Sequence, residues 1–355
     1  MSEAWKNRER YVGPILFAIV FVISLIASEL MLRIVHPCRR MPYVSMTQGY
    51  LVEYDSLIGW IGRKNCNAEL AGMDFSVIIR HNSRGNRSST EPIRSGKTNI
   101  LVVGDSQAWG WGVQNNEVFS ERMMQLDSKL NVYNIAVPGY GTDQEYLGLR
   151  RFLNYPDNRR MDYVVIQFSA NDFNDVGRAV SSQHPKPLFT FDGDTLVLTN
   201  IPVPRPLSIS TPHPRRIASR WSFWNHFHLI NLMEKARMNQ IRARRVDKHP
   251  LDDPADSIRN EHNTRVVIEL FRMIKDLCAT HDIPVIVLLV FPRENTQYQL
   301  LQNALLTEGI SVLQCPRKGF PKRNHHCLDS HLNKRGHACL ARQLIRYIRD
   351  NILAQ

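Results

Sequence analysis

An α/β fold built on a mostly parallel five-stranded sheet, with helices on both faces and one transmembrane helix ahead of it, is what this 355-residue sequence predicts. Three observations carry the prediction. Five short apolar runs, Asn99–Val103, Val132–Ala136, Tyr163–Phe168, Pro284–Val290 and Ile310–Gln314, have the length of buried strands. Most are followed by helical periodicity, and chains that alternate in this way fold as a parallel sheet covered on both sides. Ahead of them, Val12–Leu32 is almost wholly apolar.

Taken in order, residues 1–11 form a short tail and residues 12–34 the transmembrane helix. The apolar stretch, broken by Ser24, Ser28 and Glu29, is about long enough to cross a hydrocarbon core of roughly 30 Å. It is long for the apolar part of a signal peptide, and no small-x-small cleavage site follows, because Ile26-Ala27-Ser28-Glu29 runs straight into Leu-Met-Leu-Arg. It reads as an uncleaved anchor. Lys6, Arg8 and Arg10 precede it while Arg33, Arg39 and Arg40 follow, so charge alone sets no orientation. The short tail favours a cytoplasmic N-terminus and an exported C-terminal domain.

Residues 38–98 show no helical period. Val52–Arg63 and the alternating Phe75–Arg80 suggest strands and loops, a small elaboration packed on the main sheet. The main unit then runs over 99–355 and is interrupted by an insertion at 178–262. Within the insertion, Leu188–Thr199 is two alternating runs around Asp-Gly, a hairpin signal. Trp221–Arg245 reads as an amphipathic helix, aromatic at its start and rich in arginine at its end. Because it follows the third strand of the sheet, the insertion belongs beside the ligand-binding edge, where a lid or substrate wall would lie.

The net charge is +12, much of it between Arg205 and Lys248. Such a patch suits anionic headgroups or an acidic glycan, or is a solvated helix face. No nucleic-acid recognition motif accompanies it, and no nucleic-acid partner is expected.

In a parallel α/β sheet, ligands bind at the carboxyl ends of the strands. Gly104-Asp105-Ser106 follows the first strand, Pro138-Gly139-Tyr140-Gly141 the second and Ser169-Ala170-Asn171-Asp172 the third. After the fifth come Leu328-Asp329-Ser330-His331-Leu332-Asn333 and a final helix beginning near Gly336. All four therefore meet on one edge. Ser106 is a nucleophile candidate that needs a base, His331 can be that base, and Asp329 can orient it. The backbone N–H groups of Ser106 and Gly139 and the Asn171 amide can serve a developing oxyanion. Asp105 is expected to brace the turn.

Together these motifs resemble the SGNH, or GDSL-like, esterases and lipases, over roughly residues 99–177 and 265–350. The resemblance rests on GDS at 104–106, the glycine of AVPGYG, ND at 171–172 and DSHLNKRGH at 329–337. It implies a flavodoxin-like three-layer α/β/α sandwich with a catalytic triad of Ser106, Asp329 and His331. The oxyanion hole would be formed by Ser106, Gly139 and Asn171. Three positions depart from the family pattern. Gln107 stands where leucine is usual, the third motif lacks a glycine two residues before Asn171, and one residue instead of two separates Asp329 from His331. The DxHxN form is similar to members linked to bacterial surface glycans. It implies a serine ester hydrolase removing an acyl group, acetyl above all, from a cell-surface or exported glycan. The setting would be a bacterial inner membrane with a periplasmic catalytic domain, and polysaccharide-export or synthesis proteins are possible partners. Transfer of the acyl group to a sugar hydroxyl by the same triad, or a degenerate glycan-binding scaffold of an export complex, are the alternatives.

Trp109 and Trp111 follow the nucleophile and are the candidate substrate-binding residues, with core packing of at least one as the plainer reading. His325, His326 and His337 gather near His331 beside Cys315 and Cys327, but their spacing fits no closed zinc template. No metal or other cofactor is expected. Six cysteines make no disulfide framework. Cys315 and Cys327 bracket the loop leading to the base, so a bridge there is one reading and free thiols the other; Cys278 and Cys339 fall on apolar helical patterns and are expected in the core.

Overall fold

The structure, a computed structural model, describes residues 3–35, 51–72, 74–155, 160–181, 184–206, 226–248, 254–315, 322–329 and 331–351. The chain opens with α1 (Glu3–Val35), whose section Tyr11–Val35 is long and apolar enough to cross a membrane. Phe17, Phe21 and Ile23 on it are exposed. Two antiparallel hairpins follow, β1 (Val52–Asp55) with β2 (Gly59–Gly62), and β3 (Asn67–Ala71) with β4 (Ser76–Arg80).

The α/β unit then begins with β5 (Thr98–Val103), a single helical turn α2 (Ser106–Trp109), α3 (Phe119–Leu126), β6 (Leu130–Asn134) and α4 (Thr142–Leu153). It continues through β7 (Tyr163–Phe168) and the short α5 (Asp172–Asp175). The inserted segment contributes β8 (Val180–Ser181), β9 (His184–Pro185), the hairpin β10 (Leu188–Asp192) and β11 (Thr195–Thr199), and α6 (His228–Lys248). The hairpin turns on Gly193, whose φ of +60° lies in the left-handed region that glycine tolerates. Trp221, where the sequence reading starts the inserted helix, lies outside the described residues. The chain closes with α7 (Pro254–Ala279), β12 (Val285–Val290), α8 (Thr296–Thr307), β13 (Ser311–Cys315) and α9 (Lys334–Asn351).

The central sheet has five strands in the order β13-β12-β7-β5-β6, every pair parallel. Numbered along the chain this is 2-1-3-4-5, the flavodoxin-like order. β5, β6, β7 and β12 are buried on both faces, while the edge strand β13 is mostly half-buried. Leu101, Val103, Ile166, Phe168, Val287 and Leu289 fill one core, and Ile100, Val102, Val165, Ile286 and Leu288 fill the other. Such continuous apolar runs are what a doubly covered parallel sheet requires. The order reverses between β5 and β7, so the loops after these two strands frame the crevice where ligands bind in this class of sheet.

The second strand starts and ends earlier than its apolar residues suggest. Asn131 is a buried strand residue whose amide donates to the carbonyls of Glu91 and Pro92 and to Asn99 Oδ1. At the other end, Asn134 Oδ1 accepts from Ala136 N at 3.0 Å and turns the chain away.

The loop after β6 is held from outside by the first hairpin. Trp60 Nε1 donates to Pro138 O at 3.2 Å, the Tyr140 hydroxyl donates to Trp60 O, and Gln144 Nε2 donates to Ile58 O at 2.8 Å. This elaboration therefore fixes the loop that carries Gly139.

Cys315 is a free, buried thiol whose Sγ lies 3.0 Å from Gln343 Oε1, so a bridge to Cys327 does not form. Cys327 is disulfide-bonded elsewhere, and its partner is not among the described residues. Cys278 is buried and Cys339 half-buried, both as free thiols.

Candidate active site

Ser106 is delivered by a tight turn. Asp105 caps the helical turn α2, its Oδ1 accepting from Gln107 N at 2.8 Å, which leaves the serine side chain at the mouth of the sheet. Gly104 is required because a Cβ there would lie 2.8 Å from both Ala108 Cβ and Gln167 Oε1. Gln167, on the neighbouring strand β7, accepts from the backbone N–H of Asp105 at 3.3 Å and of Ala108 at 3.0 Å. It is fully buried and braces the nucleophile turn from below. Gln167→Leu should leave two buried donors unpaired, lowering stability by about 1–3 kcal/mol, read as a lower urea midpoint at unchanged m-value.

The far side of the turn rests on Arg87. Its buried guanidinium donates to the carbonyls of Trp109, Gly110 and Val113 and to Asn115 Oδ1, and stacks over Trp109 at 4.7 Å. Burial pulls its pKa down to about 9, against the opposing charges of Glu121 and Glu117.

Ser106 Oγ lies 2.7 Å from His331 Nε2, and the other ring nitrogen, Nδ1, bonds Asp329 Oδ1. The same carboxylate oxygen accepts from His331 N at 2.9 Å. One intervening residue is thus enough, because the carboxylate folds back over the backbone of its own loop. Burial pushes the Asp329 carboxyl up, but the His331 ring hydrogen bond, its charge and its backbone N–H together hold it below the usual carboxylate range.

The loop carrying this pair is fixed at several points. Asn333 Oδ1 accepts from Arg335 N and Gly336 N at the start of α9, while its amide donates to the carbonyls of Arg323 and His325. Gln107, which replaces the usual leucine, accepts from Leu332 N at 3.3 Å and ties the nucleophile turn to the histidine loop. Asp74 accepts from Leu328 N at 2.7 Å. Burial raises its pKa to about 6, partly offset by that bond.

The remaining site residues lie around this centre. Gly139 has φ +81°, and its carbonyl accepts from Ser181 Oγ at 3.3 Å. Among the described residues, neither the Ser106 nor the Gly139 backbone N–H donates a hydrogen bond. Asn171 Nδ2 donates to Asp105 Oδ2 at 3.1 Å and to Asp175 Oδ2 at 3.0 Å. Both carboxyls are pushed up by burial, against the pull of the Asn171 amide.

The two tryptophans separate. Trp109 is 2% exposed, packed between Arg87 and His81, so it cannot line a substrate pocket and belongs to the core. Trp111 is half-buried and lies against His331 with ring centroids 5.7 Å apart. The residues that brace the site, Gln167, Arg87 and Asp74, escape a reading by motif. Only Gln167 has a sequence signal, a glutamine inside an apolar strand.

The neighbouring histidines each have an aromatic packing partner. His325 packs on Phe291 and His326 on Phe75. His337 is buried, stacks on Phe119, and accepts from Phe119 N at 3.2 Å through Nδ1. Burial pulls its pKa down to about 3, and those of His81 and His326 to about 4. Unfolded histidines bind protons from about pH 6.5 downward, whereas these stay neutral in the folded chain. The unfolded state therefore binds more protons, and stability is lost as pH falls below about 6.5. His337→Asn should flatten that dependence in urea titrations at pH 7 and pH 5.

A family model described as the GDSL-like lipase/acylhydrolase family matches residues 102–339. No curated protein matches the chain. Among solved structures, a member of the lipolytic protein G-D-S-L family from Veillonella parvula is 10% identical, with 71% of this chain and 98% of that chain covered and a TM-score of 0.36. TesA is 11% identical over 70% of this chain and 97% of its own, with a TM-score of 0.38. A lipase from a goat rumen metagenome is 11% identical over 70% and 95%, with a TM-score of 0.35.

Proposed function

The chain belongs to the GDSL-like lipase/acylhydrolase family, and from that membership and the contacts of Ser106 we propose that it removes an acetyl group from an ester on a cell-surface or exported glycan. It is a serine ester hydrolase. In the proposed cycle, Ser106 Oγ bonds to the ester carbonyl carbon as its proton passes to His331 Nε2. The C–O bond to the sugar then breaks, and His331 returns the proton to the leaving alkoxide. A water molecule, deprotonated by His331, attacks the acyl-serine and releases acetate and free Ser106. Asp329 holds the imidazole in the tautomer this requires. The N–H groups of Ser106 and Gly139 and the Asn171 amide would carry the oxyanion's charge.

The observation that carries the reading is the 2.7 Å contact between Ser106 Oγ and His331 Nε2, with Asp329 on the opposite ring nitrogen. The half-buried Trp111 beside His331 supports a sugar substrate, since an aromatic face suits the apolar face of a pyranose. The apolar helix Tyr11–Val35 and the disulfide at Cys327 support a bacterial inner-membrane anchor with the catalytic domain in an oxidising, periplasmic compartment.

The test is acetate release by the full chain, in detergent, from an acetylated polysaccharide and from p-nitrophenyl acetate. Acetate release from both supports the proposal. Acetyl recovered on an added sugar acceptor, without matching acetate, would make the protein a transferase. Turnover of the aryl ester alone would remove the glycan.

A further inference from the structure

Glu29 is the one acidic residue in the apolar run of α1, and its side chain has a specific occupation. Its two carboxylate oxygens accept from His228 N and Leu229 N, each at 3.0 Å, and Arg33 Nε donates to it at 3.1 Å. His228 and Leu229 open α6, and the first N–H groups of a helix have no partner within it. A carboxylate in the last turns of the apolar span therefore caps the inserted helix, pinning its start where α1 would leave the bilayer.

Two turns further along α6, about 10 Å, Lys235 lies close enough to Asp74 to favour that carboxylate's charged form. Asp74 in turn holds Leu328 N, next to Asp329, which orients His331 on Ser106. From Glu29 to the nucleophile the route is two turns of α6 and the contacts through Lys235, Asp74 and Leu328. The loop that carries Asp329 and His331 is thus tied to the helix that Glu29 caps. Met233, on the same part of α6, is 65% exposed. The sequence of α6 also carries Arg237, Arg242, Arg244, Arg245 and Lys248 against Glu234 and Asp247, a balance suited to an anionic headgroup layer.

We infer that the active site opens at the bilayer surface and that its substrate is an acetylated sugar carried on a membrane-embedded lipid. This rests on the ester-hydrolase reading above and on α1 spanning a membrane. A lipid-held ester is confined to the layer that the site faces, whereas a free polysaccharide gains nothing from a site pinned to the anchor.

The test uses the full chain in vesicles of mixed neutral and anionic lipid, with three substrates at equal bulk concentration. They are octadecyl 6-O-acetylglucoside in the bilayer, methyl 6-O-acetylglucoside in solution, and p-nitrophenyl acetate. The lipid-borne sugar ester should turn over at least tenfold faster than its soluble counterpart. Glu29→Ala, which keeps the anchor but frees the start of α6, should lower that ratio severalfold and leave p-nitrophenyl acetate hydrolysis unchanged. Equal rates on the two sugar esters in the wild-type chain, a comparison that needs no variant, would overturn the inference and leave the hydrolase reading standing. Failure to hydrolyse any of the three would overturn both.

Discussion

Ser106→Ala should reduce turnover of any ester substrate by about 10⁴- to 10⁶-fold while leaving the fold intact. Among the described residues the serine hydroxyl has one side-chain partner, His331 Nε2 at 2.7 Å, and the site is partly open, so removing the oxygen costs stability only about 1 kcal/mol or less. All of the loss should therefore appear in the chemistry. Because serine and histidine act as a unit, His331→Ala alone should cost nearly as much, and the double variant should be little worse than either. Multiplicative losses would mean that the two residues do not share one reacting atom. Steady-state rates on p-nitrophenyl acetate, with matched urea midpoints to confirm folding, decide between these results.

The parts of this design legible in the sequence are those whose chemistry is local. Gly104-Asp105-Ser106 announces itself because a close backbone approach, a helix cap and a nucleophile must be consecutive. The strands β5, β7 and β12 are plain because burial on both faces leaves apolar runs, interrupted in β7 only by Gln167. What escapes is decided by partners distant in the chain. Asn131 lies outside the apolar run Val132–Ala136, and it joins the strand with its amide held by the carbonyls of Glu91 and Pro92. Trp109 and Trp111 look equivalent in sequence, yet the buried guanidinium of Arg87 takes one and the His331 imidazole the other. The pairing of cysteines cannot be read from their separation, and Cys315 is sealed in the core instead of bridging to Cys327.

Glu29 is the same lesson in the apolar helix α1: an acid in an apolar run looks like an interruption until the helix it caps is seen, nearly two hundred positions later. The short Asp329-to-His331 spacing is the converse case. It departs from the family pattern, yet the structure makes both a backbone and a ring contact with the same oxygen.

Asn171→Ala should lower kcat by about 100- to 1000-fold with little change in KM, the loss expected when one oxyanion donor is removed. The geometry makes this a demanding test. Both hydrogens of the Asn171 amide are already engaged, one by Asp105 at 3.1 Å and one by Asp175 at 3.0 Å. To serve the oxyanion, the amide must share or redirect one of them as negative charge develops on the substrate. Burial favours that exchange, because it pushes both carboxyls toward their neutral forms and weakens their claim on the donors. A purely structural role makes a different forecast. Two largely buried carboxyls would lose their common donor, so stability would fall while kcat in the remaining folded protein stayed near the wild-type value. Measuring kcat, KM and the urea midpoint on the same preparation separates the two. An unchanged kcat would leave the oxyanion to the backbone N–H groups of Ser106 and Gly139, with Asn171 serving only as the clamp between Asp105 and Asp175.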